Sequence, residues 1–229
     1  MGENKNSRMP SEAELRRQIV EIGRRLYDRR LVTAATGNIS ARVSAGRILI
    51  TPSGICKGRL SASDVIPVDP SGNALVAGGR RPSSELGMHL CVYRRRPDAG
   101  ACVHAHPPYA TACAVAGISL TEPVLPETVA ALGPVVLAEY ATPSTPEVAG
   151  SISGLVSHHD AIILKNHGVL TVGCDLEAAF MKMEMVEHLA QVVFLARKLG
   201  NVDLLTSAQV AALHRAFGRK NNSPPERSS

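Results

Sequence analysis

The sequence predicts an α/β layered domain, on three observations. Short apolar runs bounded by Gly, Ser and Pro alternate along the chain with stripes of apolar residues at helical spacing. Several of those stripes begin with capping signals. The chain has 229 residues, long enough for one sizeable hydrophobic core and short enough that one domain is the default.

The elements follow in order. Residues 1–10 are polar and read as a disordered lead, and residues 11–218 read as the folded domain. Ser11-Glu12-Ala13-Glu14 is a capping box, and Leu15, Ile19, Ile22 and Leu26 continue it as a helix to about Arg30. Thr36–Val43 and Arg47–Thr51 read as two strands of a hairpin or meander, closed by the turn Thr51-Pro52-Ser53-Gly54. Ser61–Asp64 caps a short helical turn, and Val65–Asp69 is a further strand. Arg81-Pro82-Ser83-Ser84-Glu85 opens the next helix. Ala101–His106 is a short buried strand that Pro107-Pro108 must end, since proline cannot continue a ladder. A small-residue helix then runs from Pro107 to Ala116. The proline-rich stretch 117–147 predicts strands and loops. Thr145-Pro146-Glu147 starts a helix to Val156, and Asp160–Lys165 is a buried strand running into Asn166–Gly173. Asp175 caps the longest helix, whose stripe from Leu176 to Phe194 is core. A last helix at about 206–217 precedes the polar tail 219–229.

Composition narrows the function classes. A hydrophobic content of 45% with 20% charged residues is that of a soluble globular protein. No apolar run approaches a membrane span, and the N-terminus has no signal-peptide core, so a cytoplasmic protein without a membrane partner is expected. Net charge is +5, but aromatics are only 3% and Trp is absent, which disfavours nucleic acid as partner and suits a small anionic substrate. The five cysteines are scattered and form no CxxC pair, so they read as buried small hydrophobes. No GxxxxGK[ST] occurs, nor a GxGxxG after a strand, so nucleotide binding has no support.

The chemistry gathers around His104-Ala105-His106. Side chains i and i+2 on a strand share a face, so two imidazoles point the same way. A metal pair and a buried hydrogen-bonded pair fit that spacing equally well. A catalytic zinc needs a third ligand, and His167 is best placed, at a strand end beside Gly168, which lets the chain turn. His89, His188 and His214 sit within helices and His158-His159 on a loop, where structural or solvated roles fit better. Glu85 is either a helix-start acid or a general acid/base beside the metal. Ser83 and Ser84, Gly37-Asn38 and Ser53-Gly54 are ordinary turns one by one. Together they offer small side chains and accessible N–H groups for a phosphate.

Five segments, in this order and spacing, resemble the class II aldolase/adducin family: Thr36-Gly37-Asn38-Ile39-Ser40, Leu49-Ile50-Thr51-Pro52-Ser53-Gly54, Arg81-Pro82-Ser83-Ser84-Glu85, Val103-His104-Ala105-His106 and Lys165-Asn166-His167-Gly168. The resemblance covers about residues 11 to 215. It implies a single three-layer α/β/α domain with a central mixed, largely antiparallel sheet, and a C4 homotetramer with active sites between subunits. It implies one zinc per subunit on His104, His106 and His167, with Glu85 as the acid/base. It also implies a substrate phosphate held by Gly37, Asn38, Ser53, Gly54, Ser83 and Ser84. The expected reaction is cleavage of an L-fuculose 1-phosphate-like ketose phosphate, through a zinc-stabilised enediolate, to dihydroxyacetone phosphate and a small aldehyde. A dehydratase, epimerase or decarboxylase of the same family, or a non-catalytic adducin-like scaffold, are the alternatives. Glu85 itself favours the aldolase branch over an epimerase, which carries Asp after the paired serines. One departure stands out. The tyrosine that family aldolases contribute from a neighbouring subunit is missing from residues 117–131, which leaves Glu127 or water to protonate the leaving oxygen.

Overall fold

A computed structural model describes residues 10–76 and 79–217. The expected disordered lead, apart from Pro10, and the polar tail lie outside the described residues. Seven strands form one sheet: β1 (Asn38–Ser44), β2 (Arg47–Ile50), β3 (Ile66–Val68), β4 (Ala101–Ala105), β5 (Val136–Ala138), β6 (Ala161–Leu164) and β7 (Gly168–Gly173). Their order across the sheet is β3-β2-β1-β4-β7-β6-β5. Every pairing is antiparallel except β5 with β6, which is parallel, so the sheet is mixed and largely antiparallel.

Strand alternation sorts the core into two layers. Ile39, Ala41, Leu49, Val103, Ala105, Ile163 and Val169 point to one face, against α1 (Glu12–Asp28), α3 (Pro108–Ala116) and α6 (Leu176–Leu199). Ile48, Ile50, Cys102, Ile162, Leu164, Leu170 and Val172 point to the other, against α2 (Leu86–Arg95) and α5 (Pro146–Ser153). β2, β4, β6 and β7 therefore feed both layers with their odd and even residues, whereas β1 gives the first face Ile39 and Ala41 and turns the polar Asn38 and Ser40 to the other. His104 takes the same face as Cys102 by the period of two, so it looks toward α2.

Local signals act as read. Ser11 and Glu14 form a reciprocal capping box at the start of α1, and Asp175 accepts from the Ala178 N–H at the start of α6. Three expectations are corrected. The stretch 117–147 is not only strands and loops: α4 (Pro126–Ala131) forms there, because Pro126 supplies the first helical position without needing an N–H partner. Phe194 is 44% exposed, although the rest of the α6 stripe is buried. It lies at the margin of the buried stripe, with its ring centroid 5.6 Å from that of Tyr109. Among the cysteines, Cys174 is exposed and Cys56 half-buried. Cys174 lies in the bend between β7 and α6, outside both core layers. The final helix, α7 (Ser207–Phe217), packs against α4.

Candidate active site

The antiparallel pairing of β4 with β7 builds the site. His104 pairs with Leu170 and Ala105 with Val169, so the end of β4 meets the beginning of β7. His106, one residue past β4, thus lies beside His167, in the turn that precedes β7. The ring centroids of the three histidines stand 4.7 to 4.9 Å apart. The left-handed residue of that turn is Asn166, at φ 56°, and not Gly168 as the sequence suggests. Gly168 serves a different need. A Cβ there would sit 2.5 Å from the Ala105 carbonyl oxygen and 2.6 Å from His106 Cδ2. Only glycine lets β7 pass this close to the histidines.

One nitrogen from each imidazole converges with the others, all within 4.8 Å. His104 Nδ1 lies 2.9 Å from the Val169 carbonyl, an acceptor only, so that nitrogen carries a proton and Nε2 is the one turned to the cluster. His104 Nε2 and His106 Nε2 face each other at 3.0 Å. Burial pushes His106 down to about 3 and His167 to about 4, with the neighbouring imidazoles adding to the effect. Both rings are therefore neutral at pH 7, the form that binds a metal.

Glu85 completes the cluster. It is the N-cap residue of α2, yet its side chain makes no capping bond. Its carboxylate turns to the histidines instead, with Oε2 3.3 Å from His104 Nε2 and Oε1 3.3 Å from His167 Nε2. Oε1 is buried without a hydrogen-bond partner. An orphaned carboxylate oxygen beside three converging imidazole nitrogens is the donor set of a divalent cation, and the residues fit such an ion. Burial acts to raise the Glu85 carboxyl, but the adjacent His104 ring and the hydrogen bond from the Asn38 amide outweigh it and hold it well below the usual carboxylate range.

A relay that sequence reasoning missed fixes Glu85. Asn38 Nδ2 donates to Glu85 Oε2 at 2.8 Å, while Asn38 Oδ1 lies 2.5 Å from His89 Nε2. His89 Nδ1 lies 2.7 Å from Ser40 Oγ, and Ser40 Oγ lies 2.8 Å from the Tyr93 hydroxyl. Burial holds His89 at about 3, so its ring is neutral and every donor can be assigned. His89 Nε2–H donates to Asn38, whose amide must then turn its NH2 toward Glu85. Helical position alone marks His89 as structural. Only the register of Asn38 opposite His104 reveals its partner.

A cavity of about 240 Å³ opens beside these groups. Its lining includes Gly37, Asn38, Ser53, Gly54, Ser83, Ser84, Glu85, His106 and His167, so the expected phosphate turns and the acid/base share one wall system. Gly37 adopts φ +72°, and a Cβ there would meet the His104 carbonyl at 2.8 Å. Ser53 Oγ accepts from the Ser84 N–H at 3.1 Å and locks two of the turns together. Ser144, from the loop before α5, also lines the cavity and donates to Ser84 Oγ at 2.9 Å. It was not legible from sequence, because it follows β5, at the opposite edge of the sheet from β2 and its Ser53 turn. Glu187 of α6 is another such residue: its carboxylate accepts from the Tyr109 and Ala110 N–H groups and fixes the start of α3, directly after the His106 segment. Glu127 sits on the exposed first turn of α4 and does not line this cavity.

Known proteins are similar to this chain in sequence and in fold. The family model for the class II aldolase and adducin N-terminal domain matches residues 17–194. The L-fuculose phosphate aldolase of Methanococcus maripaludis is 37% identical over 180 residues, 79% of this chain and 96% of that one. The 3-oxo-tetronate 4-phosphate decarboxylase of Haemophilus influenzae is 34% identical over 180 residues, 77% of this chain and 85% of that one. A solved L-fuculose 1-phosphate aldolase superposes with a TM-score of 0.83 at 33% identity, over 93% of this chain and 100% of that one. With the family model covering most of the chain and the same fold throughout, the protein is a lyase belonging to the class II aldolase and adducin family.

Proposed function

We propose that this lyase is a zinc-dependent aldolase that cleaves a ketose 1-phosphate, of the L-fuculose 1-phosphate type, into dihydroxyacetone phosphate and a small aldehyde. The reading rests above all on one observation. Three imidazole nitrogens and one carboxylate converge at a cavity whose remaining walls are small-residue turns. His104, His106 and His167 would hold the cation. Zinc, when bound, supplies a Lewis acid for the negative charge that develops on the substrate's oxygens. The N–H groups of Gly37 and Gly54 and the hydroxyls of Ser83 and Ser84 hold the phosphoryl group, Ser53 ties the turns that carry them, and Asn38 adds its remaining amide hydrogen. Glu85, kept ionised by its neighbours, takes and returns the proton on the dihydroxyacetone phosphate carbon. The family resemblance makes a homotetramer with active sites between subunits the assembly of this reading. A neighbouring copy is also the route by which Glu127 would reach the leaving oxygen.

A second reading is a decarboxylase acting on a 3-oxo acid phosphate. It is favoured by a count of proton carriers. Aldol cleavage moves one proton at the alcohol oxygen and one at the carbon, whereas decarboxylation needs only the carbon protonated. Among the described residues that line the cavity, Glu85 is the one carboxylate and there is no phenol.

A panel of ketose 1-phosphates with coupled detection of dihydroxyacetone phosphate, run beside carbon dioxide release from 3-oxo-tetronate 4-phosphate, separates the two. The expected outcome is dihydroxyacetone phosphate from at least one ketose, lost together with bound zinc in His104→Ala. Silence across the ketoses from a zinc-loaded enzyme, with carbon dioxide released, would overturn the aldolase in favour of the decarboxylase. Stoichiometric zinc and normal turnover in His104→Ala would refute the site itself.

A further inference from the structure

Lys57 is a buried cation that the chemistry above does not use. Its side chain is among the largest fully buried ones, and the residue is 1% exposed. Both hydrogen bonds of its ammonium go to backbone carbonyls: Ala35 at 3.1 Å and Ile55 at 2.7 Å. No carboxylate pairs with it among the described residues. Burial pushes its ammonium down from 10.5 to about 8. An unpaired buried charge is strongly unfavourable unless something offsets it.

The two carbonyls show what could. Ala35 begins the loop Ala35-Thr36-Gly37, and Ile55 directly follows Pro52-Ser53-Gly54. Both loops line the same cavity, on the wall that holds the phosphate turns. Lys57 lies behind that wall and does not line it. It has little freedom to leave, since a Cβ on Gly23 of α1 would already stand 2.8 Å from the Lys57 carbonyl oxygen. The next residue, Gly58, packs as closely against the Tyr27 ring. The lysine is therefore anchored against α1 with its charge directed at the two loops.

We propose that Lys57 is a positioning residue for the phosphate cradle: it ties the two loops at a fixed separation and gives the cavity a buried positive charge whose counter-ion is the substrate's phosphoryl group. The proposal rests on the sugar-phosphate reading above. It explains why a lysine sits where a neutral side chain would pack more easily. The anion supplies, in the bound state and across the two loops, the counter-charge that the free protein lacks.

The test uses the zinc-loaded enzyme, inorganic phosphate as the probe, and the variants Lys57→Gln and Lys57→Met. Gln keeps an N–H donor for the loops and removes the charge, whereas Met removes both. Calorimetric phosphate affinity is expected to fall about ten-fold in both variants, with a parallel rise in KM for the phosphorylated substrate and a smaller effect on kcat. A lysine that only braces the fold would lower the melting temperature and leave phosphate affinity alone. Phosphate affinity within about two-fold of the parent in a folded variant overturns the proposal. If neither variant folds, hydrogen exchange on the unmodified enzyme decides. Phosphate should slow the amides of 35–38 and 53–57 together, and slowing in one segment or neither overturns it. A parent enzyme that binds phosphate yet cleaves no ketose phosphate refutes the aldolase reading and not this one. A parent that cleaves the ketose, with Lys57→Gln keeping full phosphate affinity, refutes this one alone.

Discussion

At the scale of single residues, the site depends on a side chain that never enters the cavity. His89 is fully buried, and its neutral ring leaves Asn38 one orientation, with the amide NH2 on Glu85. Leu at position 89 would free that amide to rotate and would leave Ser40 Oγ without its ring partner. His89→Leu is therefore expected to keep bound metal while kcat falls about ten- to a hundred-fold, the range seen for residues that orient catalytic ligands. Metal content by elemental analysis, measured beside steady-state kinetics, checks it. Unchanged kcat would remove His89 from the machinery. The contrast with the three converging histidines shows what sequence can reveal. His104, His106, His167 and Glu85 were legible because their residue types and local spacing carry the chemistry. His89 was not, because a histidine within a helix has many uses, and its role exists only once β1 and β4 place Asn38 opposite His104. Ser144 was hidden for the same reason: its hydroxyl meets Ser84 Oγ across sixty residues of chain.

At the scale of elements, the strands and most helices were legible from period and caps, while their arrangement was not. Nothing local says that β4 pairs with β7 across 65 residues or that β1 separates β4 from β2, because pairing between distant strands is decided by the whole core. Yet the β4–β7 seam is what brings the three histidines together. Gly168 is the hinge of that seam by lack of volume alone. Its φ is not positive, so alanine imposes no backbone strain there, and the cost arises wholly from contact with Ala105 and His106. Gly168→Ala should lower stability by about 1–3 kcal/mol, as overpacking does. It should weaken metal affinity more than Gly46→Ala, a glycine with open space around its Cβ position. Thermal melts of the metal-free proteins and metal titrations of both variants give the comparison. Equal metal affinity for both would mean that the seam has slack and that His106 is held by other contacts. One such contact is the 3.0 Å bond from the His106 N–H to the Leu31 carbonyl.

At the scale of the whole molecule, the buried imidazoles couple the site to folding. His89 and His106 are held near pKa 3 and His167 near 4, each chiefly by burial. In the unfolded chain an imidazole takes its proton near 6.5. Between about pH 6.5 and pH 4 the unfolded state therefore binds protons that the folded state refuses, and stability must rise with pH across that window. The contribution is present in full above about pH 6.5 and is lost as acid drives protons onto the unfolded chain. Each independent imidazole contributes a slope of about 1.4 kcal/mol per pH unit. A second window follows below the ordinary carboxylate range. Burial acts to raise Asp160, but Lys182 and Arg96 outweigh it and lower its carboxyl, so its contribution goes only at still lower pH. Thermal melts of the metal-free protein from pH 7.5 to 4.5 should show the melting temperature falling steadily below pH 6.5. His89→Leu should flatten that fall by the share of one imidazole, whatever its own starting stability. His89 is the right probe because none of the three converging histidines lies among its hydrogen-bond partners, which are Ser40 and Asn38. A melting temperature that stays level between pH 7 and pH 5, or a slope that His89→Leu leaves untouched, would mean that the rings accept protons in the folded state. The donor assignments that fix Asn38 on Glu85 would then fail with it.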